Sequence, residues 1–375
     1  MKIALGMSGG VDSSLSAHLL KEAGHDVTGV FLQCWRAPGC RADEDRKDAL
    51  AVALDLGIPF ESLDFIQAYR DQVVERFFED YRLGLTPNPD VWCNTAIKFG
   101  LFYDWAMAHG FDAVATGHYA QVGELDGLTV LLRGADEKKD QTYFLYKTKQ
   151  EQLDHIVFPI GHLQKSQVRE EATKRNISVA AKPDSQGICF IGDINVRDFL
   201  KEHLGEKPGD VLDVDGNIIG KHQGVWFYTI GQRHGFELFA KIHLQNDQWK
   251  HILPPMYVIA KNAEANTITV GYGVETTSDT TKVADVFWRD ERFVPDTNQE
   301  PFALKVRIRH GGQLYPAQFT WTDRVKHRAE IRFTDKIKGL APGQAAVFYG
   351  GTGDEVCLGG AVLSENSSIR SKLSL

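Results

Sequence analysis

Six residues near the start of the chain, Ser8-Gly9-Gly10-Val11-Asp12-Ser13, have the types and spacing of an anion cradle. Adjacent glycines let backbone N–H groups converge on one point, and a helix that begins there adds the positive end of its dipole. Gly6 and Met7 lead into the turn, Ser8, Ser13 and Ser14 offer hydroxyls to phosphate oxygens, and Asp12 is placed to hold a Mg²⁺ bridging them. The Lys-Ser/Thr pair of a Walker loop is missing, as is the spacing G-x-G-x-x-G. Neither γ-phosphate transfer nor dinucleotide binding is therefore expected.

Two cysteines stand in suggestive surroundings. Cys93 follows Thr86-Pro87-Asn88-Pro89-Asp90, where the prolines are expected to hold Asp90 and Cys93 out on a stiff loop. Cys189 lies in Asp184-Ser185-Gln186-Gly187-Ile188-Cys189-Phe190-Ile191-Gly192-Asp193. Taken alone, each also reads as a buried small residue, and 188–191 has the look of a strand. Cys34, Cys40 and Cys357 have no acid or base beside them and read as structural. Cys34 and Cys40 have no His between them, so zinc is not expected.

The elements that must position these groups change character midway. Lys2–Gly6, Val27–Gln33, Ile58–Leu63 and Asp112–Thr116 read as strands, and 12–23, 43–56, 66–82 and 97–108 as amphipathic helices. Such alternation predicts an α/β fold, a doubly wound parallel sheet with helices on both faces. Beyond about residue 205 the pattern becomes antiparallel β: an Asp215-Gly216 hairpin, then 256–260, 267–270, 302–309, 317–322, 329–333 and 345–348. The expected units are a catalytic domain over 1–200, a small β-rich central domain over 201–278, a C-terminal β-barrel over 279–365 and a flexible Ser-rich tail at 366–375.

Composition narrows the class. With 43% hydrophobic and 25% charged residues among 375, the chain is an ordinary globular one, too long for a single core. Five scattered cysteines argue for a reducing compartment, no apolar run reaches membrane-span length, and the opening residues are too short for a secretory core. A cytoplasmic location is expected, with no membrane partner. The net charge of −8 speaks against indiscriminate DNA binding, yet 301–340 carries nine basic and three acidic residues, leaving −14 elsewhere. A local basic face on an acidic protein suits a structured polyanion, although on charge alone a solvated sheet face fits equally.

In this order, the loop Ser8–Ser13, the segment Thr86–Asn94 and the segment Ser185–Gly192 closely resemble the tRNA-specific 2-thiouridylases of bacteria and mitochondria, a branch of the PP-loop ATP pyrophosphatases. Further matches are Ala115-Thr116-Gly117-His118-Tyr119, Lys139-Asp140-Gln141-Thr142-Tyr143-Phe144-Leu145, His222-Gln223-Gly224, Thr229-Ile230-Gly231-Gln232-Arg233 and Pro342–Tyr349. The resemblance implies replacement of the C2 oxygen of a tRNA wobble uridine by sulfur, with ATP yielding AMP and pyrophosphate. It implies a persulfide on Cys189, Cys93 as nucleophile, Asp90 as general acid/base, and a Cys93–Cys189 disulfide after transfer. Gly6–Ser13, Leu32 and Gly117 then contact ATP with its Mg²⁺. Asn88, Pro89, Asp90 and His118 surround the target base, while Lys139, Asp140, Gln141, Arg309, His310 and Gln344 touch the tRNA. His310 departs from the family's commoner Tyr, which weakens the expectation of stacking there. Partners so implied are the anticodon stem-loop and a protein that relays sulfur to Cys189. Whether free hydrosulfide or the persulfide itself attacks C2 is left open.

Rival readings lack support in the same residues. Other PP-loop adenylating enzymes have no need of paired Cys93 and Cys189 or of a basic β-rich C-terminal half. A non-catalytic RNA-binding or sulfur-carrier protein would be favoured by a damaged phosphate loop or a missing cysteine, and the chain has both intact.

Overall fold

A computed structural model describes residues 1–36, 40–184, 187, 189–192, 195–239, 255–273, 277–295 and 300–365. The expected tail at 366–375, and Ser185, Gln186 and Ile188 of the second cysteine segment, lie outside the described residues.

Short apolar runs separated by helices do build a parallel sheet. Strands β1 (Lys2–Gly6), β2 (Asp26–Gln33), β3 (Phe60–Asp64), β4 (Ala113–Thr116) and β7 (Ile156–Val157) run in the order β3-β2-β1-β4-β7. Alternation along each strand divides the side chains between two cores. Ala4, Val30, Leu32, Val114 and Ile156 pack with Tyr69, Phe77, Ile97 and Phe102 from the helices at 66–82 and 89–108. Ile3, Leu5, Val27, Phe31, Ala113 and Ala115 pack on the other face, with Leu15, Val52 and Val168 from the helices Val11–Glu22, Ala42–Leu56 and Lys165–Lys174. Both faces are covered, as a doubly wound sheet requires.

Two elements of this half depart from expectation. The hairpin β5 (Ala120–Leu125) and β6 (Leu128–Arg133) leaves the parallel sheet and attaches to the C-terminal barrel through Leu132 and Val356. The stiff loop expected around Asp90 and Cys93 is helical instead. Pro89 stands in the first helical turn, where its missing N–H costs no hydrogen bond and its fixed φ suits the helix. The helix continues to residue 108, and its stretch Cys93–Phe102 takes the wider π-helical turn.

The second half is β, as expected. Strands β8 (Gly209–Leu212), β9 (Ile218–His222), β10 (Glu237–Leu238), β11 (Tyr257–Asn262) and β12 (Thr267–Gly271) form a sheet ordered β10-β9-β8-β12-β11. In the turn joining β8 to β9, Asp213 accepts from the N–H groups of Asp215 and Asn217. Strands β13 (Thr277–Trp288), β14 (Phe302–Arg307), β15 (Tyr315–Asp323), β16 (Arg328–Lys338), β17 (Ala345–Gly350) and β18 (Val356–Glu365) run β13-β16-β15-β14-β17-β18. Pairing of β13 with β18 closes them into a six-stranded barrel. The barrel docks on the first domain through a buried ion pair between Arg307 of β14 and Asp140.

Candidate active site

The phosphate loop leaves the C-terminal end of β1 and enters the helix Val11–Glu22, with β2 on one side and β4 on the other. Open α/β sheets bind ligands beyond these strand ends, where the strand order reverses. No side chain caps this helix: Gly10 stands at its N-cap, so first-turn N–H groups are left for an anion. Ser13 Oγ instead accepts from the Ser8 N–H at 3.2 Å, which holds the loop in its turn. Gly9 adopts φ +71°, and a Cβ there would stand 2.2 Å from the Asp45 carbonyl oxygen. Gly117, following β4, approaches so closely that a Cβ would lie 2.8 Å from the Ser13 nitrogen. Leu32, expected at the adenine, is 5% exposed on β2.

Asp12 is engaged differently from expectation. Lys165 reaches both of its oxygens, at 2.8 and 2.9 Å, and the Tyr119 hydroxyl donates to one of them at 2.7 Å. Among the described residues no group of His, Cys, Asp and Glu is arranged to hold a metal ion. Both Asp12 oxygens accept from protein donors, so a Mg²⁺ held there with phosphate oxygens would compete with Lys165 for the carboxylate. The positive charge beside the loop comes from lysines that the sequence reading passed over. Lys165 also pairs with Asp184 at 2.8 Å, which takes Arg169 at 2.6 Å and Lys139 at 2.9 Å as well. These cations hold the Asp184 carboxyl well below the usual carboxylate range despite the opposing effect of burial. Lys182 donates to the Gly9 carbonyl at 2.9 Å and pairs with Asp45 and Asp48.

The two cysteines, 96 residues apart, meet with Sγ atoms 3.4 Å apart. Both are free thiols, and Cys93 is wholly buried rather than displayed. The alternative of a strand at 188–191 is corrected: Cys189 and Phe190 form a turn, with Phe190 at φ +64°. Two side chains hold that turn by its backbone. Asp90 Oδ1 accepts from the Cys189 N–H at 3.0 Å, and the Tyr69 hydroxyl donates to the Cys189 carbonyl at 2.5 Å. Lys98, one helical turn beyond Cys93, lies 3.4 Å from His118 Nε2, and its charge acts on Cys189 and Cys93. His118 Nδ1 in turn meets Thr116 Oγ1 at 2.7 Å.

These contacts divide the charge. The hydrogen bond from Cys93 holds the Cys189 thiol below its ordinary range, against burial and with the help of Lys98. Burial drives the Cys93 thiol well up, and its role as donor to Cys189 adds to this. Burial also raises the Asp90 carboxyl, opposed by the Cys189 N–H and Lys98. His118 is pushed well down by burial and by the Lys98 charge, so it stands as a neutral imidazole. The site therefore favours ionisation of Cys189 over that of Cys93, and the thiolate is the nucleophilic form of cysteine.

The residues expected at the RNA divide into two groups. Arg309 and His310 are exposed on the barrel, with the His310 ring 4.6 Å from that of Phe144. Others serve as internal joints. Asp140 is fully buried, accepting from Arg307 at 2.5 Å, from Arg133 at 3.4 Å and from Thr142, so its side chain is not presented to a ligand. Gln141 accepts from the Tyr119 N–H at 2.9 Å, and Lys139 points to Asp184. Gln344 donates to the Thr86 and Pro87 carbonyls, each at 3.0 Å, and pins the Cys93 segment to the barrel. Asn88 is buried at 8% exposure. Lys98, Tyr69, Lys165 and Asp184 were missed; the one local signal was that Lys98 follows Cys93, and Asp184 precedes Cys189, by five residues.

Comparison with known proteins finds relatives along nearly the whole chain. Three family profiles match in succession: "tRNA methyl transferase HUP domain" over residues 1–193, "tRNA methyl transferase PRC-barrel domain" over 197–272 and "Aminomethyltransferase beta-barrel domain" over 279–363. The tRNA-specific 2-thiouridylase MnmA of Listeria welshimeri is 41% identical over 97% of this chain and 94% of its own length. The protein of the same name from Streptococcus thermophilus is 43% identical over 97% and 95%. Among solved structures, the U34-tRNA thiolase NcsA of Methanococcus maripaludis overlaps 54% of this chain and 64% of its own at 18% identity and a TM-score of 0.35. On the strength of its relatives along nearly its whole length, the chain belongs to the tRNA-specific 2-thiouridylases and is a tRNA sulfurtransferase.

Proposed function

We propose that this enzyme adenylates the C2 oxygen of a tRNA wobble uridine and then replaces it with sulfur carried by Cys189. The observation that supports this reading best is the 3.4 Å approach of Cys93 and Cys189 beside the phosphate loop. The loop residues Gly6–Ser13, with Leu32 and Gly117, would hold ATP, and Lys165 and Lys182 would balance phosphate charge there. The uridine oxygen attacks the α-phosphorus and pyrophosphate leaves, converting a poor leaving group into AMP. Adenylation of this kind suits a site whose donors converge on phosphate oxygens.

In the sulfur half-reaction, Cys189 carries a sulfane sulfur as Cys189–S–S⁻, loaded by a relay protein. The Cys93 thiolate, its proton passed to Asp90, attacks the Cys189 sulfur and forms the Cys93–Cys189 disulfide, while Asp90 returns the proton to the departing outer sulfur, which leaves as hydrosulfide. Hydrosulfide adds at C2 and AMP departs with the original oxygen. If the persulfide itself attacks C2, the same disulfide forms as Cys93 releases the thiolated base. A thiol reductant then restores both cysteines. Burial raises the Asp90 carboxyl, which makes it a better proton acceptor than an exposed aspartate. Residues 1–200 would serve the chemistry, and the barrel at 279–365, with Arg309 and His310 exposed, would grip the stem-loop backbone. Asn88, Pro89 and His118 would border the flipped base.

Nucleoside mass spectrometry of tRNA incubated with the protein, ATP and a persulfide donor tests this. A 2-thiouridine product that requires ATP and disappears in Cys93→Ser and Cys189→Ser is expected. Pyrophosphate release with no thiolated nucleoside would refute it.

A further inference from the structure

Lys98 has no carboxylate within salt-bridge distance among the described residues, although it is drawn into the protein beside the sulfur pair. A cation taken from water needs a compensating charge or it deprotonates. What surrounds the ammonium group is an imidazole, a ring and the charge of the sulfur pair: it approaches His118 Nε2 at 3.4 Å and lies 5.7 Å from the ring centroid of Phe190, the neighbour of Cys189, while Cys189 and Cys93 favour its charged form.

Helix geometry explains how Lys98 comes to be there. In an α-helix, a residue five positions along points about 140° away from the first. Cys93–Phe102 is instead π-helical, and its wider turn brings the fifth residue back toward the face of the first. Cys93 and Lys98 therefore both address Cys189, which no α-helical reading of the segment would suggest. Such a run gives up regular α-helical hydrogen bonding, and π turns recur where function requires a particular side-chain placement.

We propose that Lys98 is a catalytic residue of the sulfur half-reaction: its ammonium holds the Cys189 sulfur in anionic form, first as the thiolate that accepts a sulfane sulfur and then as the perthiolate. The proposal rests on the functional reading above. In the loading step Cys189–S⁻ attacks the outer sulfur of a protein persulfide, R–S–SH, giving Cys189–S–S⁻ and R–SH, with no change in the charge facing Lys98. The same ammonium adds to the burial that lowers His118 and opposes the effect of burial on Asp90, so one cation biases three protonation states.

The groups facing Cys189 are Cys93, Lys98 and Asp90 from the helix 89–108, Tyr69 from the helix 66–82, Cys34 from the end of β2 and, through Lys98, His118. Of the charged ones, only Lys98 is a cation. Burial opposes its charge, but the neighbouring Cys189, Cys93 and Asp90 hold its ionisation above the ordinary lysine range.

The test follows iodoacetamide alkylation of Cys189 against pH, by peptide mass spectrometry on the full-length protein. Lys98→Met is expected to move the profile upward by at least one pH unit, lowering the rate near pH 7 about 10-fold. Lys98→Arg is expected to restore most of it. In the same variants 2-thiouridine formation should fall with Lys98→Met while the KM for ATP stays unchanged. An unchanged profile in a folded Lys98→Met, or equal impairment in Lys98→Arg, would overturn the assignment. If Lys98→Met does not fold, Cys93→Ala decides: with the donor at position 93 gone, Cys189 must keep a profile below that of an ordinary thiol, because Lys98 remains. A Lys98-dependent profile in a protein that makes no 2-thiouridine would sink the functional reading and uphold the charge assignment. Undiminished thiolation by Lys98→Met would do the reverse.

Discussion

Replacing Asp140 by Ala tests whether its conspicuous motif serves ligand or fold. Its carboxylate is wholly buried and receives Arg307 Nη1 at 2.5 Å, Arg133 Nε at 3.4 Å, the Gly134 N–H at 3.2 Å and both the N–H and hydroxyl of Thr142. Arg307 is 2% exposed and its Nε has no hydrogen-bond partner, so Asp140 is its sole carboxylate among the described residues. Removing one member of a buried pair strands the other charge and costs about 3–5 kcal/mol. The loss should appear as a lower urea midpoint, and with it the barrel should loosen from the catalytic domain. ATP binding should persist while tRNA affinity falls. Removing both charges in Asp140→Ala/Arg307→Met should recover most of the stability, since an apolar replacement of the whole pair is often neutral. A loss of tRNA binding in Asp140→Ala with an unaltered urea midpoint would refute this reasoning and return Asp140 to the RNA surface.

Three further outcomes are expected. Gly117→Ala forces a methyl against the Ser13 nitrogen and the Asp12 backbone, so it should cost about 1–3 kcal/mol in urea and weaken ATP binding measured by calorimetry. Lys165→Met removes a charged donor beside the phosphate loop and should raise the KM for ATP about 10- to 100-fold with little change in the KM for tRNA. Burial draws Lys261 down to about 7 from an ordinary 10.5, with its Nζ donating to the Tyr228 carbonyl at 2.6 Å. Between those values the unfolded chain holds a proton that the folded one has lost, so wild-type stability should rise with pH across that window. Lys261→Met should therefore be most stabilising at or below pH 7, and its advantage over wild type should shrink toward pH 10; an advantage independent of pH would contradict the burial argument.

The parallel sheet was legible because its period-two and period-three-to-four patterns report which faces each element buries. The phosphate loop was legible because a glycine-rich strand-to-helix turn is a local structure. Other readings failed for identifiable reasons. Pro87 and Pro89 suggest extended chain, yet proline is equally at home at the first turn of a helix, and the apolar face of 91–102 decided between them. Asp140 and Gln344 look like surface polar residues until Arg307 and the Thr86 and Pro87 carbonyls are brought to them from 167 and more than 250 positions away.

By itself the sequence determined which residues are proposed to react, the phosphate loop, both cysteines and Asp90, and the change from alternating α/β to antiparallel β. Only the tertiary structure decided that Cys93 and Cys189 lie 3.4 Å apart. It alone showed that a π-helical turn brings Lys98 back toward the face of Cys93, and that Lys165 pairs with Asp12. The physical reason is range. Patterns and turns are settled by neighbours along the chain, whereas ionisation and ion pairing depend on charges and low-dielectric surroundings supplied by segments distant in sequence.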